Sequence, residues 1–523
     1  MSTADPHLML AFEGTRIPDW LRERLRESPP AGVTLFREWN MDNPGQVVEL
    51  TSELQELNSS PLPLLIAVDQ EGGQLLGLSE STPFAGNMAL GATEDPELAK
   101  EVAEAMGREL GAVGINVNYA PVADVVTRPD NPSLGVRGFG DDAETVASLT
   151  AAMVLGFSAA GIQATLKHFP GKGEARVDPH HELPLLDLDR QRLERVELPP
   201  FRTGFAAGVS LLMMGHYVVP ALTGSRDLPI SASERGIAGF VRAEMGFGGV
   251  VITDALDMGA LDQGPAQVVE IITMMRSGTD LLLCMPDPAL QERVRVAVER
   301  GHSRGLIPGE ALDLSRARVE RLRRSIPVTE LHPETVGADD HLALAARLAE
   351  LSVTLVRNDD ELLPLQSSSG TRILALEPVP TNVTPADTTA LYPPMLGTAL
   401  RARQPAVTEI IYPHNPGRSD IAASVSAAAE HDLVVVGTVT ATTGQADLVG
   451  ALLGTGTPVV TVALRTPYDL AAYPRSLTHV CTYSGLLPSL EALVSAMFGK
   501  APFRGHLPAA IPGLYTRGHG IET

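Results

Sequence analysis

Short apolar runs alternate with helix-like segments through the first 330 residues of the chain. Residues 96–111 illustrate the helical segments, because their apolar side chains recur at the spacing of one helix face. Eight apolar runs of strand length alternate with such segments, at 7–14, 32–37, 64–70, 114–120, 161–168, 209–216, 248–254 and 279–285. Eight strand and helix units in succession predict an α/β fold, a (β/α)8 TIM-type barrel over residues 1–330.

A second α/β pattern follows the predicted barrel. We expect a linker at 331–345 and a smaller C-terminal α/β domain at 346–523. Its strand-like runs are 352–357, 372–376, 409–412, 433–439, 459–464 and 479–483. Helical or polar segments separate these runs, which predicts a small parallel sheet with helices on both faces.

Polar side chains stand where several barrel strands are predicted to end. They are Asp69, Lys167, His168, His216 and Asp254. The carboxyl ends of barrel strands meet at one face, where the loops carry the chemistry of such enzymes. We therefore expect these side chains to lie around one site.

The loop after the fifth predicted strand carries further chemistry. Asp178 precedes His180 by two residues, so its carboxylate can accept a hydrogen bond from one ring nitrogen. That bond would fix the tautomer and raise the basicity of the other nitrogen, as a general acid/base requires. His181 is adjacent and is the competing assignment.

Four stretches of the chain resemble motifs of one enzyme family. They are AVDQEGG at 67–73, NPSLGVRGF at 131–139, KHFPGKGEARVDPHH at 167–181 and VVITDALDM at 250–258. In this order they resemble glycoside hydrolase family 3, specifically its bacterial β-N-acetylglucosaminidase branch. The resemblance covers about the first 330 residues strongly and the remainder more loosely.

The resemblance implies a retaining, exo-acting β-N-acetylglucosaminidase. Asp254 matches the nucleophile that forms a covalent glycosyl–aspartate intermediate, and His180 matches the acid/base, oriented by Asp178. The substrates implied are cell-wall fragments or chitin-like oligosaccharides. Residues that resemble the sugar-binding set are Asp69, Arg137, Lys167 and His168, with His216 as either a further wall of the pocket or a buried core histidine.

Two residues depart from the family pattern. Lys172 stands where the family commonly has histidine, and Gln74 stands where close relatives often have arginine. Both departures leave the nucleophile and the Asp178–His180 pair intact, so they affect the substrate more than the type of reaction. Three other functions stay open: a phosphorylase on the same scaffold, a β-glucosidase, and a non-catalytic sugar-binding protein. Ala255 argues against the β-glucosidase, since such members usually have an aromatic residue directly after the nucleophile.

The composition of the chain indicates that it binds small molecules rather than nucleic acid or membranes. The 523 residues include 63 acidic and 40 basic side chains, and a formal charge of -23 disfavours nucleic acid and anionic membranes as partners. No zinc-type ligand spacing or phosphate-binding loop occurs, so we expect neither metal nor cofactor. The N-terminus lacks a secretion signal, which predicts a cytoplasmic location. Cys284 and Cys481 are expected to be buried thiols, and the oligomeric state is left open.

Overall fold

The computed structural model describes residues 2–366, 368 and 370–523. Its first sheet has eight strands, all parallel, in the order β10-β1-β2-β3-β6-β7-β8-β9. These strands are β1 (Leu8–Ala11), β2 (Gly32–Thr34), β3 (Leu65–Val68), β6 (Val117–Asn118), β7 (Gln163–Phe169), β8 (Leu211–Met214), β9 (Val250–Thr253) and β10 (Leu282–Cys284), with a short hairpin of β4 (Gln70–Gly72) and β5 (Leu75–Leu76) after β3. A parallel bridge between Ile252 and Leu281 joins the two ends of the sheet. The predicted TIM-type barrel is confirmed.

Along each strand, side chains point alternately into the barrel and toward the layer of helices that surrounds it. Met9, Leu65 and Ile252 belong to one buried cluster that fills the ring of strands. Their neighbours in sequence, such as Leu8 and Ile66, belong to another cluster that includes residues of the surrounding helices. The period of two residues is the one expected of a strand with both faces buried.

Helices cover the outside of the barrel. They are Asp19–Glu27, Arg37–Asn40, Pro44–Leu57, Asn87–Thr93, Pro96–Ala112, Ala143–Ala159, Arg190–Arg192, Pro199–Ala206, Pro220–Thr223, Gln267–Ser277, Pro288–Ser303 and Gly309–Arg324, with π-helical turns at Leu193–Glu197 and Arg235–Glu244. Helix Pro96–Ala112 begins after Asp95, whose side chain accepts hydrogen bonds from two backbone N–H groups of the first turn. The last two of these helices, Pro288–Ser303 and Gly309–Arg324, are separated by a turn that contains Gly305 and Pro308.

The C-terminal sheet has six strands in the order β11-β16-β15-β14-β12-β13. These are β11 (Thr354–Asn358), β12 (Ile373–Pro378), β13 (Val407–Tyr412), β14 (Leu433–Thr438), β15 (Val459–Ala463) and β16 (Thr478–Cys481). The helices of this half are Asp339–Ser352, Leu396–Arg401, Arg418–Ala428, Thr443–Leu453 and Leu487–Met497. β11 pairs antiparallel with β16, unlike the other strands. The expectation of a parallel sheet therefore holds for five strands, with an antiparallel strand at one edge.

The two halves of the chain pack closely against each other. Helix Asp339–Ser352 contacts both Asn87–Thr93 and Pro96–Ala112 of the barrel, and it crosses the end of the predicted linker. The domain bounds of 1–330, 331–345 and 346–523 stay a prediction. Cys284 and Cys481 are buried and unpaired, as expected. Over the described part of the chain, each helix is too short or too polar to cross a membrane.

Candidate active site

A cavity of about 350 Å³ opens at the carboxyl ends of the barrel strands. This is the face where barrel enzymes carry their chemistry. The cavity wall contains most of the site residues predicted from the sequence: Asp69, Arg137, Lys167, His168, His180 and Asp254. Asp178 and His216 lie outside the wall. The fold therefore brings together side chains that are up to 185 positions apart in the sequence.

Two cations of the predicted sugar-binding set share one buried carboxylate, Glu71. Arg137 donates to it through Nε at 2.9 Å and Nη2 at 2.8 Å. Lys167 Nζ lies 2.6 Å from Glu71 Oε1 and 2.5 Å from Asp69 Oδ1. Burial raises the pKa of Glu71, but Arg137 and Lys167 outweigh burial and hold that pKa at about 2. Glu71 is therefore a permanent anion that fixes both cations.

Replacing Glu71 by Gln should destabilise the protein strongly. The amide keeps the shape of the side chain but leaves two buried cations short of one negative charge, which typically costs about 3–5 kcal/mol. The pKa of Glu71 lies below its usual value, so its contribution is present above about pH 4.5 and is lost as the pH falls toward about 2.

Urea unfolding of wild type and Glu71→Gln checks this prediction at pH 7 and at lower pH. The midpoints should differ most at pH 7 and converge in acid. Asp187→Asn is the matched control, because the Asp187–Arg226 pair lies on the surface and should contribute little. Equal midpoints at pH 7 would contradict the assigned role of Glu71.

His168 is held as a neutral imidazole at the cavity wall. Its Nδ1 lies 2.8 Å from Asp124 Oδ2, and Arg137 Nη2 lies 3.4 Å from its Nε2. Burial lowers the pKa of His168 well below its usual range, and the charges of Lys172, Arg137 and Lys167 act in the same direction. A neutral ring that donates from Nδ1 to Asp124 presents a lone pair at Nε2, which accepts from Arg137.

Asp178 orients the imidazole of His180. One carboxylate oxygen, Asp178 Oδ1, lies 2.6 Å from His180 Nδ1 and accepts from the backbone N–H of His180 at 3.0 Å. Burial raises the pKa of Asp178, but the hydrogen bonds from His180 outweigh it and hold that pKa at about 2. The anion therefore keeps the Nδ1 proton in place. Nε2 is left for proton exchange with a ligand in the cavity.

The loop carrying His180 docks on the segment that follows β9. The backbone N–H of Gly259 donates to the His180 carbonyl at 3.0 Å, and that of Ala260 donates to the Pro179 carbonyl at 3.0 Å. A Cβ atom at Gly259 would lie 2.7 Å from the His181 carbonyl oxygen, so glycine permits this approach. The docking ties the His180 loop to the loop of Asp254.

Asp254 stands directly after β9, at the mouth of the barrel. Its backbone N–H donates to the Met214 carbonyl at 2.9 Å, and its Oδ1 accepts from the N–H of Ala255 at 2.9 Å. Among the described residues, none donates a hydrogen bond to Oδ2. One carboxylate oxygen is therefore fixed and the other is available to a ligand, which suits a nucleophile.

His216 is buried behind the cavity wall. Its Nδ1 lies 2.7 Å from Ser231 Oγ, and the side chain has no solvent exposure. Burial lowers the pKa of His216, and the nearby charge of Asp254 opposes that shift in part. His216 therefore packs in the core behind the cavity and does not line it.

The C-terminal half supplies a part of the wall that sequence reasoning missed. The chain leaves β12 at Pro378 and reaches the cavity at 385–388. Gln74 Nε2 donates to the Ala386 carbonyl at 2.9 Å, and the N–H of Thr388 donates to the Gln74 carbonyl at 2.7 Å. Arg465 binds both Gln74 and Asp387. The residue that departs from the family pattern, Gln74, thus anchors this segment to the barrel.

Aromatic side chains form another part of the wall that the sequence did not single out. Phe36 and Trp39 follow β2, and their ring centroids lie 5.0 Å apart. Arg37, between them, binds the hydroxyl of Tyr392 from the C-terminal half and stacks over its ring. The faces of these aromatic rings can pack against the apolar C–H face of a sugar. The charged groups nearby can bind its hydroxyl groups.

Lys172 is a further cation in the cavity wall, almost fully buried at 1% exposure. Burial and the neighbouring Arg137 lower its pKa to about 8, partly offset by Asp124, Asp254 and Glu71. Its ammonium has no hydrogen-bond or ion-pair partner among the residues that the structure describes. In the same residues, no group of three or more histidine, cysteine or carboxylate side chains could hold a metal ion.

The sequence of the barrel assigns the chain to a protein family. The model of the Glycosyl hydrolase family 3 N terminal domain matches residues 9–322. The chain belongs to glycoside hydrolase family 3. The match contains every predicted site residue of this family 3 chain and all of the barrel sheet except Leu8, the first residue of β1.

Known relatives of this family 3 chain include solved and curated proteins. A family 3 β-N-acetylglucosaminidase from Paenibacillus sp. str. FPU-7 superposes with a TM-score of 0.92 at 34% identity, covering 97% of this chain and 98% of that one. Beta-hexosaminidase A of Pseudoalteromonas piscicida is 34% identical over 384 residues, 68% of this chain and 64% of that protein. The chain thus spans less than two thirds of the latter's length. A β-N-acetylglucosaminidase/β-glucosidase of Cellulomonas fimi is 28% identical over 94% of this chain and 91% of its own length.

Proposed function

We propose that this family 3 chain is a retaining exo-β-N-acetylglucosaminidase. It removes terminal β-linked N-acetylglucosamine from cell-wall fragments or chitin-like oligosaccharides. The Paenibacillus relative is named a β-N-acetylglucosaminidase and the Pseudoalteromonas relative a β-hexosaminidase. The observation that carries the proposal is the convergence of Asp254 and the Asp178–His180 pair on one cavity, whose wall also holds the predicted sugar-binding residues.

The first half of the reaction forms a covalent intermediate. Asp69, Lys167 and Arg137 hold hydroxyl groups of the sugar through charged hydrogen bonds. The free Oδ2 of Asp254 attacks the anomeric carbon and forms the new C–O bond. The glycosidic C–O bond breaks, and the proton on His180 Nε2 moves to the leaving oxygen.

The second half of the reaction restores the enzyme. His180, now neutral, takes a proton from water at Nε2, and the water oxygen attacks the anomeric carbon. The ester bond to Asp254 breaks, and the carboxylate leaves. Asp178 stays ionised throughout, because its low pKa lets it stabilise the imidazolium without accepting the proton. Two displacements at one carbon retain the β configuration.

Hydrolysis of aryl glycosides tests the proposed activity. Nitrophenyl β-N-acetylglucosaminide and nitrophenyl β-glucoside share the leaving group and differ at one carbon of the sugar. We expect kcat/KM to be at least about tenfold higher for the acetylated sugar, a difference of about 1.4 kcal/mol in transition-state binding. Turnover of neither sugar by the folded protein would contradict the proposal.

A phosphorylase is the second candidate, and the Asp178–His180 pair is the observation that favours it. A histidine in place of a second carboxylate does not repel an incoming phosphate ion. The same assay in phosphate and in a phosphate-free buffer separates the two activities. Free N-acetylglucosamine in both buffers supports the hydrolase, whereas the sugar 1-phosphate in phosphate buffer would replace it by the phosphorylase.

A further inference from the structure

Lys172 differs from the other cations of the cavity wall in its lack of a partner. Lys167 and Arg137 each contact a carboxylate within 3 Å, as the distances to Glu71 show. No described residue accepts a hydrogen bond from Lys172 Nζ, although the side chain is 1% exposed. The ammonium therefore meets the space of the cavity rather than another side chain. A ligand that offers an acceptor oxygen would supply the partner that the protein does not.

The backbone of Lys172 is fixed, so its side chain starts from a defined position. The N–H of Lys172 donates to Asp124 Oδ1 at 2.8 Å, and its carbonyl accepts from Asn131 Nδ2 at 2.8 Å. These bonds fix the point at the cavity wall from which the side chain extends.

Lys172 shares the cavity wall with the proposed nucleophile, Asp254. The negative charge of Asp254 is one of those that raise the pKa of the Lys172 ammonium. The ammonium of Lys167, in contrast, is held by Asp69 and Glu71, at 2.5 Å and 2.6 Å. Lys172 is thus the cation of the wall that is left for a ligand at Asp254.

The surrounding charge favours a neutral acceptor over an anion. The carboxylates at this end of the barrel include Asp69, Glu71, Asp124, Asp254 and Asp257, and the cations beside them are Arg137, Lys167 and Lys172. Carboxylates therefore outnumber cations, and a bound anion would add repulsion. A carbonyl or hydroxyl oxygen of a neutral sugar avoids that cost.

We propose that Lys172 is a specificity-determining residue that donates from Nζ to the N-acetyl carbonyl oxygen at C2 of the sugar. The inference rests on the proposed function, and it names the group that distinguishes the acetylated substrate. The nucleophile attacks C1, whose ring neighbour C2 carries this substituent, and Lys172 lines the same cavity as Asp254. Hydrogen bonds to that substituent strengthen in the transition state of retaining glycosidases.

Substrates that differ only at C2 test the assignment. Lys172→Met keeps the length of the side chain and removes the donor. We expect its kcat/KM to fall about 10- to 100-fold for nitrophenyl β-N-acetylglucosaminide. For the nitrophenyl 2-deoxy-β-glucoside, which has no acceptor at C2, we expect a change of less than about threefold. Lys172→Arg, which keeps a donor, should recover part of the lost selectivity.

Each outcome of this experiment decides a separate point. Lys100→Met, on an outer barrel helix, is the matched control and should leave both substrates unaffected. The assignment would be overturned if Lys172→Met lowered kcat/KM equally for both sugars while its unfolding midpoint stayed unchanged. It would also be overturned if Lys172→Met kept the wild-type ratio of the two kcat/KM values. A loss confined to phosphate-dependent turnover would make Lys172 an anion site instead. A wild type inactive on every sugar would refute the proposed function itself.

Discussion

Asp254→Asn should abolish hydrolysis, with kcat at least about 10⁴-fold lower than wild type. The amide cannot form the glycosyl ester, so the double displacement loses its first step. The fold should be preserved, because asparagine matches aspartate in shape and the backbone N–H of Asp254 still donates to Met214. Release of nitrophenol from the acetylated glycoside, compared with the unfolding midpoint of the same sample, measures both effects.

Asp257 is the competing carboxylate and provides the comparison. It lines the same cavity three residues further on, but its side chain is exposed. We expect Asp257→Asn to lower kcat by less than about tenfold, which separates a binding contribution from loss of a nucleophile. A larger loss for Asp257→Asn than for Asp254→Asn would reverse the two roles.

His180→Gln should produce the second largest effect, and its size should depend on the leaving group. General acid catalysis contributes about 10²–10⁴-fold when the leaving oxygen needs a proton. We expect a loss of that size for N,N′-diacetylchitobiose. Formation of the intermediate from a dinitrophenyl glycoside should be nearly unaffected, because dinitrophenolate leaves without a proton. Asp178→Asn should show the same dependence, since the asparagine amide no longer fixes the tautomer of His180.

His181 is the natural control for this prediction. It neighbours His180 in the sequence, is exposed, and is not part of the cavity wall. His181→Gln should therefore keep wild-type rates on both substrates. Equal losses for good and poor leaving groups in His180→Gln would contradict the assignment of His180 as the acid. A loss confined to His181→Gln would transfer that role.

The barrel could be predicted from the sequence because each of its strands is marked by a short apolar run. Each predicted apolar run contains or overlaps one observed strand; β3, for example, lies within 64–70 and β9 within 248–254. Once the strands are placed, barrel geometry alone brings Asp69, Lys167 and Asp254 to one face. Site residues at strand ends are therefore the ones that can be predicted most directly from the sequence.

The parts that the sequence did not predict depend on contacts between distant segments. Glu71 lies in a recognised motif, but only the fold shows that it holds both Arg137 and Lys167. The wall segment at 385–388 reaches the cavity through packing of the C-terminal half on Gln74, for which no local pattern exists. The position of His216 behind the wall likewise depends on its contact with Ser231.

Trapping of the intermediate tests the proposed mechanism most directly. A fluorinated N-acetylglucosaminyl donor with a good leaving group forms the glycosyl ester faster than water removes it. Peptide mass spectrometry of the inactivated protein then locates the attached sugar. We predict one sugar on the peptide that contains Asp254 and none on that peptide in Asp254→Asn. Attachment to a different carboxylate, or turnover of the donor with inverted configuration and no attached sugar, would contradict the covalent mechanism.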